Sequence, residues 1–261
     1  MRAIILAAGQ GTRLSPYTVD RPKCLVELAG RPLLDWQLDA LRHVGITEIA
    51  VVTGYRGEQI AAQGLAVRRN PDYARTNMVK SLMCAADLLD GRDDVLIAYA
   101  DIVYEPRIPQ ALLACGEPIC TTVDRSWLRL WSIRTATPLA EAETLKLDAA
   151  GHIIELGKKP ASYEEIQAQY MGLIKVRADF APRLPEVYRR LDPRGPYDGK
   201  DLDNMYMTSF LQHLIDHGQP VRAVPVDGGW LEVDSASDLE LYNRLHAEGR
   251  LGDYCRLAPG S

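Results

Sequence analysis

The chain begins with Arg2-Ala3-Ile4-Ile5-Leu6, and the stretch this run feeds, Leu6-Ala7-Ala8-Gly9-Gln10-Gly11-Thr12-Arg13-Leu14, constrains the fold more than any other. A short apolar run of this kind reads as a buried strand. Glycines at positions 9 and 11 let the backbone turn tightly and aim its N–H groups at an anion. Arg13, and Lys23 in the Pro22-Lys23 pair that closes the stretch, add fixed positive charge where phosphate oxygens would lie. The expectation is a phosphate site at the end of a buried strand. Two familiar phosphate loops do not fit. The dinucleotide fingerprint needs a third glycine three positions after the second, where Leu14 stands, and no Gly-Lys-Ser/Thr run of the Walker type occurs.

A chain of 261 residues with 47% hydrophobic and 25% charged residues can bury a sizeable core. Its net charge of −5 argues against a general nucleic-acid binder, which favours basic faces. Residues 1–8 lack the features of a signal peptide, and no apolar run of about 18 residues occurs. A cytoplasmic chain without a membrane span is expected. The five cysteines, Cys24, Cys84, Cys115, Cys120 and Cys255, show no C-x-x-C spacing. They suggest neither a disulfide framework nor a zinc site. Cys24 adjoins Lys23, which could lower its pKa, but a small buried thiol is the commoner role.

Downstream, apolar β-branched runs alternate with helical periodicities. Residues 32–41 read as a helix stopped by Gly45, residues 46–53 as a strand, 58–63 as a short helix and 65–69 as a strand ended by Asn70-Pro71. That alternation predicts a mostly parallel sheet with flanking helices. Asn77 can cap the helix that follows, and Ser81 lies one turn on; a cap or a nucleobase contact is open to both. Val95 to Ala100 is a strand ending in Asp101, and ligands collect at the carboxyl ends of such strands. An oxygen ligand there suits Mg²⁺. Late in the chain, Asp234 precedes a helix beginning near Ala236, so capping and metal binding are both open to it.

The middle of the chain differs. Trp127, Trp131 and Arg134 have helical spacing, with Arg125 and Arg129 interleaved, as an anionic pocket with an apolar wall would require. Segments 143–148 and 152–159 read as a hairpin, with Lys158 near its end, and Tyr170 opens the next strand. The expected organisation is one α/β domain over residues 1–250, with an acceptor-binding insertion at about 124–170 and a tail at 251–261.

The run Leu-Ala-Ala-Gly-x-Gly-x-Arg-Leu with Pro-Lys resembles the signature loop of the nucleotidyltransferase superfamily. Asp124…Trp127…Trp131…Arg134, Glu143-Thr144-Leu145-Lys146, Gly157-Lys158-Lys159, Gln169-Tyr170-Met171-Gly172-Leu173 and the segment 203–208 resemble enzymes that cytidylylate small phosphonates or phosphoramidate precursors. Phosphocholine cytidylyltransferases are also similar. The resemblance implies a Rossmann-like central sheet and transfer of CMP from CTP to a small phosphonate or phosphate, with pyrophosphate released. It implies a nucleotide site of Leu6, Ala7, Ala8, Gly9, Gly11, Thr12, Arg13, Lys23, Asn77 and Ser81, with Arg13 and Lys23 catalytic. It implies Mg²⁺ on Asp101 and Asp234, and an acceptor site of Trp127, Trp131, Arg134, Lys158 and Tyr170. Sugar-1-phosphate nucleotidyl transfer and a non-catalytic nucleotide-binding module are the other readings. A homodimer is compatible with the sequence.

Overall fold

A computed structural model of the protein describes residues 1–257. Strand β1 (Arg2–Ala7) is buried along its length, as an uninterrupted apolar run requires of a strand covered on both faces. The two-residue strands β2 (Glu27–Leu28) and β3 (Arg31–Pro32) lead into α1 (Leu33–His43), followed by β4 (Glu48–Thr53), α2 (Gly57–Ala61) and β5 (Ala66–Arg69). Next come α3 (Met78–Met83), β6 (Val95–Tyr99), β7 (Ile102–Tyr104), α4 (Arg107–Leu113) and β8 (Ile119–Asp124). The middle segment holds α5 (Trp127–Arg134), α6 (Pro138–Glu141) and the antiparallel pair β9 (Leu145–Leu147) and β10 (Ile153–Leu156). The chain then forms β11 (Gln169–Val176), α7 (Arg183–Arg190), α8 (Met207–Asp216), β12 (Arg222–Val226), β13 (Trp230–Glu232) and α9 (Ala236–Ala247).

The central sheet has seven strands in the order β12-β8-β11-β6-β1-β4-β5. Only β11 runs against its neighbours β6 and β8, so the sheet is mostly parallel, as the alternation of elements implies. Because side chains alternate across a strand, Ala3, Ile5 and Ala7 enter one core, and Ile4, Leu6 and Ala8 enter the core on the opposite face. The chain leaves β1 for β4 and β5 on one side and returns to β6 on the other. That reversal opens a crevice at the carboxyl ends of β1 and β6, the usual ligand position in an open α/β sheet.

A second pairing decides what enters the crevice. β13 lies antiparallel to β7, with Glu232 opposite Ile102, and the Val233 amide donates to the Asp101 carbonyl at 2.8 Å. This ribbon brings residues more than a hundred positions apart in the chain to one point.

One sequence expectation needs correction, and one open alternative is decided. Cys115 and Cys120 form a disulfide across the turn between α4 and β8, where no disulfide was expected. Within the expected tail, the Cys255 thiol is buried against the Gly229 carbonyl and the Arg256 amide donates to Glu105. The remainder of the expected tail lies outside the described residues. Asp234 does not cap α9. Ser235 does, in a reciprocal capping box with Asp238, which leaves the Asp234 carboxylate to the crevice.

Candidate active site

The loop after β1 is shaped by one strained glycine and one open one. Gly11 has φ +67°, and a Cβ there would come within 2.9 Å of the Lys23 Cβ, so only glycine fits. A Cβ on Gly9 would meet no protein atom, so that residue leaves room above the loop. Leu14 anchors the loop in the core, and the Thr18 hydroxyl donates to the Gly11 carbonyl. Around the loop lies a cavity of about 190 Å³ lined by Leu6, Ala7, Ala8, Gly9, Gly11, Arg13, Lys23, Asn77 and Ser81. Thr12, placed with them by resemblance, is absent from the lining.

Both ambiguous polar residues of α3 have partners inside the protein. The Asn77 side chain accepts from the Met78 amide at 2.8 Å, a helix cap, and the Ser81 hydroxyl accepts from the Asn70 amide at 3.0 Å. Capping and lining therefore coexist. Tyr73 and Thr76 also line this cavity. Sequence reading missed them because they follow a proline break that looked like a plain connection; Asn70, buried and bonded to both Thr76 and Ser81, ties that connection to α3.

Asp101 and Asp234 meet where the cavity opens into a second, larger one of about 620 Å³. Lys23 Nζ lies 2.8 Å from Asp101 Oδ2 and 3.1 Å from Asp234 Oδ1, and Arg13 also pairs with Asp234. Burial opposes the Lys23 charge, but the two carboxylates more than compensate, and its pKa lies above the usual lysine value. Asp101 Oδ1 is buried without a hydrogen-bond partner. An orphaned carboxylate oxygen beside a second carboxylate is a donor set that fits Mg²⁺, which takes few protein oxygens and completes its shell from water and phosphates. Among the described residues no three His, Cys, Asp or Glu side chains form a metal cluster, so the two aspartates would share such an ion with substrate.

The larger cavity is walled by side chains from far-separated segments. Of the residues expected to hold the acceptor, Trp131, Arg134 and Tyr170 line it, but Trp127 and Lys158 do not. Trp127 is 5% exposed, stacks on Tyr163 and meets Trp131 edge-on with ring centroids 5.9 Å apart, so it supports the wall from behind. Lys158, beyond the turn at Gly157, pairs with Asp198. The interleaved Arg125 and Arg129 also point elsewhere, Arg125 to Asp227 and Arg129 over the Tyr254 ring. Arg134 is fixed by Glu232 Oε2 at 2.7 Å and Asp238 Oδ1 at 3.0 Å. Burial opposes its charge, and Glu232, Tyr242 and Asp238 raise its pKa.

Tyr170 reaches the cavity through a register shift in β11 between Tyr170 and Ile174. Gly172 enables it: φ is +77°, and a Cβ would lie 2.6 Å from the Tyr99 ring. Gln169, Glu143, Tyr206 and Thr208 also face this cavity. Crowding by protein pushes the Glu143 carboxyl up, with Glu232 and Asp198 adding to the effect and Lys159 opposing it. The segments 143–146, 169–173 and 203–208 were the available signal for these residues, but they marked a resemblance without saying which side chains turn inward.

A phosphate loop at a sheet switch point, facing two carboxylates and a separate polar cavity, defines a nucleotidyltransferase architecture. Residues 3–156 match the MobA-like NTP transferase domain, and the chain belongs to that family. It is 45% identical over 250 residues to CTP:phosphoglutamine cytidylyltransferase of Campylobacter jejuni, covering 92% of this chain and 98% of that protein. It is 29% identical over 248 residues to CMP-5'-(3-aminopropyl)phosphonate synthase of Streptomyces rubellomurinus, covering 91% of this chain and 37% of the relative. The fold resembles that of CTP:phosphocholine cytidylyltransferase from Streptococcus pneumoniae, with TM-score 0.67 and 20% identity over 94% of this chain and 98% of that one. It also resembles the inositol-1-phosphate CTP transferase of T. maritima, with TM-score 0.67 and 19% identity over 98% and 97% of the two chains. The protein is thus a nucleotidyltransferase. No helix among the described residues is long and apolar enough to cross a membrane.

Proposed function

We propose that the protein is a Mg²⁺-dependent cytidylyltransferase that moves CMP from CTP onto a small phosphate or phosphonate, working in the cytoplasm. The observation carrying this reading is the meeting of Asp101 and Asp234 at the junction of the loop cavity and the larger cavity. The relative named for phosphoglutamine supports the class of acceptor and makes phosphoglutamine the first compound to try.

An acceptor oxygen attacks the α-phosphorus of CTP in line; the new P–O bond forms as the bond to the β-phosphate bridging oxygen breaks, and that electron pair leaves with pyrophosphate. The acceptor is already ionised near neutral pH, with a second pKa of about 6 for phosphate esters, so no general base is required. Lys23 lies beside both carboxylates and can answer the charge that grows at the α-phosphate, and Arg13, mostly exposed at the mouth, can hold the leaving phosphates. Asp101 and Asp234 would hold Mg²⁺, which supplies Lewis-acid neutralisation of the phosphate oxygens. The loop amides position the triphosphate, and the residues around the larger cavity orient the acceptor and exclude water. The domain reading follows: residues 124–170 contribute walls of the acceptor side.

Pyrophosphate release measured with each of the four triphosphates, Mg²⁺ and an acceptor panel tests this reading. Turnover with CTP and a small phosphate or phosphonate, lost on chelation and restored by Mg²⁺, is expected. Turnover with UTP or dTTP plus a hexose 1-phosphate, and none with CTP, would replace it with sugar-nucleotide synthesis.

A further inference from the structure

The two arginines that line the larger cavity, and Lys23 beside it, have carboxylate partners within the protein. Arg13 and Lys23 pair with the aspartates, and Arg134 is held by Glu232 and Asp238. Glu143 is different. Its carboxylate opens on the cavity and makes no ion pair or hydrogen bond among the described residues. Lys159, whose charge opposes the rise in the Glu143 pKa, directs its ammonium to the Ala140 carbonyl.

The position of Glu143 is nonetheless built. Gln169, 4% exposed, accepts from the Glu143 amide at 3.2 Å and donates to the Glu143 carbonyl at 2.6 Å, clamping the backbone from both sides. The next residue, Thr144, is buried, and its hydroxyl accepts from the Lys158 amide. Both polar atoms of this buried amide are satisfied by the Glu143 backbone, so the residue is held in place at the edge of the cavity.

A purely anionic acceptor would be repelled by Glu143. We infer that the acceptor carries a protonated amine in addition to its phosphate or phosphonate, and that Glu143 binds this ammonium. This rests on the reading of the cleft as a cytidylyltransferase site. A primary ammonium fits better than a quaternary one. The Trp131 face is covered by the Arg134 guanidinium, 4.9 Å from the ring centroid, and the Tyr170 ring packs edge-on against Tyr99. A carboxylate pairs most strongly with a cation that brings N–H donors, which a quaternary ammonium lacks.

The test compares 3-aminopropylphosphonate with propylphosphonate, which lacks only the amine, in pyrophosphate release with CTP and Mg²⁺. The full chain and Glu143→Gln are assayed together. For the unaltered protein, kcat/KM should favour the amine by about tenfold or more, the usual range for a hydrogen bond to a charged group. In Glu143→Gln the ratio of the two acceptors should approach one, with KM for CTP retained. A ratio near one in the unaltered protein, or a ratio that Glu143→Gln leaves in place, overturns the inference. Should neither phosphonate nor any other acceptor of the panel be turned over with CTP, the cytidylyltransferase reading fails. Tryptophan-fluorescence titration with the same two compounds then decides the role of Glu143 by itself. Tighter, Glu143-dependent binding of the amine supports it, and equal binding overturns it.

Discussion

The two sides of the cleft are made in different ways. The proposed nucleotide side is mostly backbone: one loop after β1, one strained glycine and a helix start, nearly all within residues 6–23 and 73–81. The proposed acceptor side is mostly side chain, drawn from α5, the turn before β9, the start of β11, α8 and the segment after β13. A backbone site tolerates changes in most side chains but not in its key glycine. A side-chain site can be retuned one residue at a time, yet its walls depend on ion pairs that cross the fold. One architecture can therefore hold a constant triphosphate and vary its acceptor.

The ion pairs are where this contrast breaks most easily. Arg134→Met leaves Glu232 and the nearly buried Asp238 facing each other without a cation, and stability should fall by about 3 kcal/mol in urea unfolding. A change within a few tenths of a kcal/mol would mean that the acceptor wall does not depend on its cross-fold pairs. On the other side, Gly11→Ala forces a left-handed conformation and a contact with the Lys23 stem. A loss of roughly 1–2 kcal/mol is expected, together with a raised KM for the triphosphate. A variant with unaltered KM would show that the loop does not hold the triphosphate. The smallest effect is chemical. Burial pushes the Cys24 thiol up to about 12, against the lowering that its neighbour Lys23 suggested from sequence. At pH 8 its thiolate fraction is then on the order of one in ten thousand, so iodoacetamide should spare it in the folded chain and modify it in urea. Rapid labelling in the folded state would show that the loop cavity opens to its floor.

The same contrast explains what could be read from the residues. β1 and its loop were legible because strand, turn and charges are contiguous and each residue type has a local physical reason. Asp101 was legible as the carboxylate after an apolar strand. The pairing of β13 with β7 was not, since three-residue strands over a hundred positions apart leave no periodic signal, and Asp234 could not be told from a helix cap until Ser235 took that role. On the acceptor side the spacing of Trp127, Trp131 and Arg134 placed them on one helix, but not which of them faced the cavity. Trp127 fills the core behind it. Lys158 looked like an anion ligand until Asp198, from a loop some forty residues on, claimed it. Glu143 lay in a segment that carried the resemblance, but its role could not be read there, because it depends on which neighbouring charges already have partners.

The central claim is that Asp101 and Asp234 join the two sides into one reaction centre. Asp101→Asn tests it most directly, with CTP binding followed by titration and pyrophosphate release followed in the presence of an accepted phosphate or phosphonate. The variant should keep its fold and bind CTP within a few-fold of the unaltered protein. Turnover should fall by at least about a hundredfold, the scale set by removing one group that stabilises transition-state charge. Turnover close to that of the unaltered protein would contradict the account.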